Sequence, residues 1–86
     1  MDKKLQVNVT TPISVVFEGE VDSIVAPGTE GYLGVLPGHT YLFTSLCEGK
    51  LTLKIDDKDR EYSIGSGYME VHPSGAIIIT ETAEEV

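Results

Sequence analysis

Apolar residues recur at every second position in four separate runs of this chain, and that period of two constrains its fold more than any other feature. Leu5, Val7 and Val9 alternate with Lys4, Gln6, Asn8 and Thr10, and Ile13, Val15 and Phe17 repeat the pattern after the break at Thr11-Pro12. Leu51, Leu53 and Ile55 alternate with Lys50, Thr52 and Lys54, while Tyr62 and Ile64 alternate with Glu61 and Ser63. Successive side chains of a strand point to opposite faces, so each run describes a strand with one buried and one wet face. Between the runs stand Glu18-Gly19, Pro27-Gly28, Pro37-Gly38, Glu48-Gly49, Asp56 to Asp59, Gly65-Ser66-Gly67 and Pro73-Ser74-Gly75. Gly admits positive φ, Pro presets φ for a turn and Asp bonds to nearby backbone, so each cluster ends a strand for a physical reason.

About nine short strands at this spacing predict an all-β fold, a sandwich or flattened barrel. A chain of 86 residues has room for one core and no surrounding layer of helices. No window shows apolar spacing of three and four with caps at its ends. Only Glu81 to Val86 tolerates a helix, and it reads as a short acidic tail, frayed or a first turn, after a β-sandwich domain over residues 1–80.

The formal charge of −8, from 14 acidic against six basic residues, repels a phosphate backbone and argues against nucleic acid. No basic amphipathic stretch is present to lie on anionic lipid. No apolar run reaches the roughly 20 residues of a membrane span, so any membrane association runs through a protein partner. One cysteine, Cys47, makes no internal disulfide, which suits a reducing compartment.

A search for chemistry finds no convergent set. His39 and His72 lack the spacing of a metal site, and Asp56-Asp57-Lys58-Asp59 lacks the length, glycine and terminal glutamate of a calcium loop. Gly65-Ser66-Gly67 is a turn between strands rather than a nucleophile elbow. Gly28, Gly31 and Gly34 match neither phosphate-binding fingerprint, and no helix follows them. Neither a catalytic residue nor a cofactor or metal site is expected. Cys47 reads as a small apolar filler on or just past the strand Tyr41 to Leu46, with a reactive exposed thiol as the alternative. Phe17, Phe43 and Tyr62 read as core, or as half-buried at a sheet face. Tyr32, between Gly31 and Gly34 on a loop too short to bury it fully, is open to both an exposed contact role and packing.

The run from Phe17 to His39, with Val25-Ala26-Pro27-Gly28-Thr29-Glu30-Gly31-Tyr32-Leu33-Gly34-Val35-Leu36-Pro37-Gly38-His39 at its centre, resembles the epsilon subunit of F-type ATP synthase. Leu42-Phe43-Thr44, Gly65-Ser66-Gly67-Tyr68-Met69-Glu70-Val71 and Ile78-Ile79-Thr80-Glu81-Thr82-Ala83 continue the resemblance in order. It implies two roughly five-stranded, mainly antiparallel sheets. It also implies a non-catalytic central-stalk subunit, bound to the gamma subunit and the ring of c subunits, that couples ring rotation to the catalytic head. Such a subunit is peripheral, at the cytoplasmic face of a bacterial inner membrane, and monomeric when isolated. On this resemblance Glu30, Gly31, Tyr32, Leu33 and His39 face the c ring, Tyr32 replacing the family's acidic or polar residue, and Thr11 and Thr44 lie near gamma. A turn histidine that satisfies local backbone remains the other reading of His39. The family's two C-terminal helices have no counterpart up to Val86, so inhibition of ATP hydrolysis and nucleotide binding are not expected here. The alternative is a free-standing β-sandwich module whose Tyr32 and Tyr41 meet a carbohydrate or peptide.

Overall fold

The computed structural model describes residues 3–38 and 41–86. It contains ten strands: β1 Leu5–Thr10, β2 Val15–Val21, β3 Ser23–Gly28, β4 Gly31–Val35, β5 Leu42–Leu46, β6 Gly49–Ile55, β7 Lys58–Ile64, β8 Gly67–His72, β9 Gly75–Thr80 and β10 Ala83–Glu85. Hydrogen bonding runs β10-β7-β6-β3-β5-β8-β9-β1-β2, with β4 beside β3. A single registered pair, Gly28 with Leu46, joins β3 to β5. The path therefore divides into two halves of five strands, β10-β7-β6-β3-β4 and β5-β8-β9-β1-β2, hinged at the end of β3. All pairs are antiparallel except β1 with β9. β2 packs back against β6, so the two halves face each other as a nearly closed flattened barrel.

The period of two becomes the core. Leu5, Val7 and Val9 of β1, Leu51 and Leu53 of β6, Met69 and Val71 of β8 and Ile78 of β9 are all fully buried between the halves. Each such side chain contributes about 1.5–3 kcal/mol by leaving water, and this shared interior holds both sheets. Short turns set the register. Asp56 and Asp57 adopt φ of 51° and 68°, a two-residue loop of the type whose twist matches its flanking strands, closing Ile55 onto Lys58.

Three expectations are corrected. Ile13 and Val15 do not join the core face of β2: Ile13 is 93 % exposed and Val15 is exposed. The register shifts where Thr10 pairs with Val15, a bulge that turns the start of β2 outward. The segment after Thr80 is not a frayed or helical end. Ala83–Glu85 pair with Tyr62–Ile64, and Arg60 Nε donates to Glu85 Oε2 at 2.7 Å; β7 offers an unpaired edge that three acidic-rich residues can complete. Cys47 is exposed rather than a core filler: Leu46 before it faces the core, so the next side chain points to the other side while its amide bonds the Pro27 carbonyl at 2.9 Å.

Candidate docking surfaces

The hairpin of β3 and β4 carries the residues expected to face the c ring. Gly28 pairs with Gly31 across the turn Thr29-Glu30. Gly31 has a φ of 124°, which an L side chain rarely adopts, so the turn requires glycine there. Glu30, Gly31 and Tyr32 lie exposed at this end. Tyr32 is less free than its 61 % exposure suggests. It pairs with Pro27 on β3, and its hydroxyl accepts a hydrogen bond from the Lys50 amide on β6 at 3.1 Å. The ring therefore crosses Pro27, which is buried although it lies on the outer face. A Cβ at Gly49 would come within 2.9 Å of both Tyr32 and Pro27, so the absence of a side chain there makes the crossing possible. Leu33 points the other way, half-buried against the core. His39 lies outside the described residues.

Thr11 lies in the β1–β2 turn, whereas Thr44 borders the β3–β4 end, because the Ser45 carbonyl to which it donates also accepts from the Thr29 amide at 3.2 Å. Thr11 closes the β1–β2 turn, its Oγ1 accepting from the Ser14 amide at 3.3 Å. Thr44 sits opposite buried Met69 on the inward register of β5, half-buried, and its hydroxyl donates to the Ser45 carbonyl at 3.2 Å.

A second surface was not legible as a unit in the sequence. It is the outer face of β5, β8 and β9, where Phe43, Tyr68 and Ile79 are 64 %, 53 % and 49 % exposed and Ile77 is exposed beside them. The registers place Phe43 opposite Glu70 and Glu70 opposite Ile77, with Tyr68 opposite Ile79 in the next row. Phe43 and Tyr68 stack at 5.7 Å with 21° between their planes, and Tyr41 meets His72 edge-on at 5.5 Å. Phe43, expected in or against the core, is thus one of the most exposed rings. Contiguous apolar patches of this kind on a small soluble domain mark contact with another macromolecule.

The electrostatics elsewhere are structural. Lys4 Nζ lies 2.8 Å from Asp22 and 3.0 Å from Asp56, while Asp22 accepts the Asp56 amide at 2.8 Å. These contacts tie the start of the chain and the β2–β3 corner to the β6–β7 turn. The hydrogen bond from Lys4 and then that from the Asp56 amide hold the Asp22 carboxyl below its ordinary value, and the two carboxylates raise the Lys4 ammonium. Arg60 binds Glu85 and lies 5.5 Å above the Phe17 ring, linking β7, β10 and β2. No group of three or more metal-ligating side chains is found among the described residues.

Two facing five-stranded halves around one core define a domain of the β-sandwich class. The family described as ATP synthase, Delta/Epsilon chain, beta-sandwich domain matches residues 4–86, and the chain belongs to it. An ATP synthase epsilon chain of Desulforamulus reducens is 39 % identical over 84 residues, covering 98 % of this chain and 64 % of that protein. An ATP synthase epsilon chain of Chlorobium limicola is 37 % identical over 81 residues, covering 93 % of this chain and 92 % of that protein. The chain thus spans slightly less than two thirds of the first relative and nearly all of the second. Among solved structures, a chain in the Euglena gracilis mitochondrial ATP synthase OSCP/F1/c-ring assembly superposes with a TM-score of 0.90 at 26 % identity, covering 95 % of this chain and 53 % of that one.

Proposed function

We propose that this domain is a non-catalytic part of the rotor of an F-type ATP synthase, joining the gamma subunit to the c ring in the central stalk. In this role it transmits rotation between the ring and the catalytic head during ATP synthesis, at the cytoplasmic face of a bacterial inner membrane. The observation that carries the reading is the pairing of one stiff double-layered shell with two distinct exposed surfaces, the β3–β4 end and the β5-β8-β9 face. A part that passes torque needs two attachments on a body that does not shear, and two facing sheets around one core provide this where a lone hairpin does not. Family membership supports the same reading. The β3–β4 end, with Glu30, Gly31 and Tyr32, is assigned to the c ring, and the apolar face to gamma. Leu33 supports the hairpin from within, and Thr11 and Thr44 are placed at the margins of the gamma contact.

Size-exclusion chromatography of the chain with purified gamma subunit at micromolar concentrations tests the assignment, and a co-eluting complex is expected. Separate elution would refute it and favour a free-standing binding module. Tyr32→Asp removes the strap over Pro27 and puts charge at the ring-facing end. It should reduce ATP-driven proton pumping in vesicles reconstituted with the whole synthase while the isolated domain stays folded; unchanged pumping refutes the c-ring assignment.

A further inference from the structure

The chain segregates its charges. All six lysines and arginines lie ahead of β1 or on β6 and β7: Lys3, Lys4, Lys50, Lys54, Lys58 and Arg60. Strands β5, β8 and β9 carry none. On their outer face one carboxylate, Glu70, stands in the middle of the apolar patch, with Phe43 directly across on one side and Ile77 on the other. Tyr68 and His72 flank it along β8. Among the described residues the basic group beside Glu70 is the imidazole of His72, with Nε2 3.3 Å from Oε1. The Glu70 side chain keeps 51 % of its exposure there.

This arrangement departs from an ordinary solvated sheet face. Besides His72, the neighbours of Glu70 are a stacked aromatic pair and an aliphatic side chain, and covering the patch with a purely apolar partner would bury an anion with one imidazole as its partner and its other acceptor sites unfilled, which is costly. A partner that supplies a cation meets both requirements. An arginine fork can donate two parallel hydrogen bonds to the carboxylate while its flat guanidinium lies against the outer side of the stacked Phe43 and Tyr68 pair.

We propose that the β5-β8-β9 face receives a partner segment that places one arginine on Glu70, beside the stacked Phe43 and Tyr68, with apolar side chains on Ile77 and Ile79. The inference rests on the rotor reading and specifies the chemistry of the gamma contact. The excess of negative charge on the chain speeds approach of such a segment, and Glu70 fixes its register.

The test is isothermal titration of the full chain with purified gamma subunit at low and high salt, using the parent, Glu70→Gln, Phe43→Ala and Asp57→Asn. Glu70→Gln keeps the shape of the side chain and should weaken binding about tenfold to a hundredfold, the range for a hydrogen bond to a charged group. It should also flatten the salt dependence, because the ion pair is the part that salt screens. Phe43→Ala should weaken binding and leave the salt dependence in place. Asp57→Asn removes an equal charge from the exposed β6–β7 turn and should change affinity less than about twofold, as expected for a remote charge. If Glu70→Gln binds like the parent while Phe43→Ala is impaired, the face is a docking site without the arginine and the proposal fails. If the parent itself does not bind, the rotor reading fails with it. Far-ultraviolet circular dichroism of each variant separates loss of contact from loss of fold.

Discussion

Tyr62→Phe should make this protein more stable. Tyr62 is 1 % exposed, and its ring belongs to the core between Leu51 of β6 and Glu85 of β10 in register. Its hydroxyl finds no hydrogen-bond partner. A buried polar group left unpaired costs about 1–3 kcal/mol, and phenylalanine keeps the ring while removing that group. The space vacated by one oxygen returns a few tenths of a kcal/mol, at about 24 cal/mol per Å³ of cavity. The net expectation is a gain of about 1 kcal/mol, equivalent to a rise of about 4–8 °C in Tm for a domain of this size. Urea melts followed by far-ultraviolet circular dichroism measure it, with an unchanged m value showing that the same surface unfolds. The variant also predicts a pH effect. Burial, the largest cause, pushes the Tyr62 phenol above its ordinary value, although Arg60 pulls the other way. The unfolded chain therefore ionises first: wild-type stability is unaffected by this group below about pH 10 and falls as pH climbs from there toward the higher folded-state value. The advantage of Tyr62→Phe should widen over that window. A variant destabilised by about 1 kcal/mol or more would refute the reasoning, because it would mean that the hydroxyl is satisfied in solution.

Gly67→Ala should abolish folding or cost several kcal/mol, since a Cβ there collides with the Ile79 carbonyl and lies 2.7 Å from Thr80 Cα, both immovable backbone of the neighbouring strand; urea denaturation decides it, and a stable variant would refute the geometry. Asp22→Asn should be destabilised at neutral pH, because the clip with Lys4 and the Asp56 amide is lost. The Asp22 pKa is lowered in the folded state, so the wild-type advantage is present above about pH 4 and disappears as pH falls through the lower folded-state value, which melts between pH 2 and 7 would show. Cys47, exposed at the end of β5, should react with a maleimide in the native protein within about tenfold of the unfolded rate; hundredfold protection would contradict its placement.

The period of two and the punctuation by Gly, Pro and Asp made the all-β class, the main strands and most of the core legible in the amino-acid order. Alternation encodes which side chains share a face whatever the partner strand, so Leu5, Val7, Val9, Leu51, Leu53, Tyr62 and Ile64 could be assigned to the interior before any pairing was known. The family was legible too, through the ordered run around Pro27 to Gly38. What alternation does not encode is where it fails: the bulge at Thr10 turned Val15 outward, and β10 formed because β7 had an edge to complete. Both depend on a neighbouring strand. The outer face of β5, β8 and β9 follows the same logic. Phe43, Glu70 and Ile77 lie on three different strands and became one surface only when β5, β8 and β9 fell into register, and Tyr32 became a strap only because β6 presented the Lys50 amide and Gly49 left room for the ring. Local side-chain order determined which residues were buried, while the registers between distant strands decided what the exposed ones can do together.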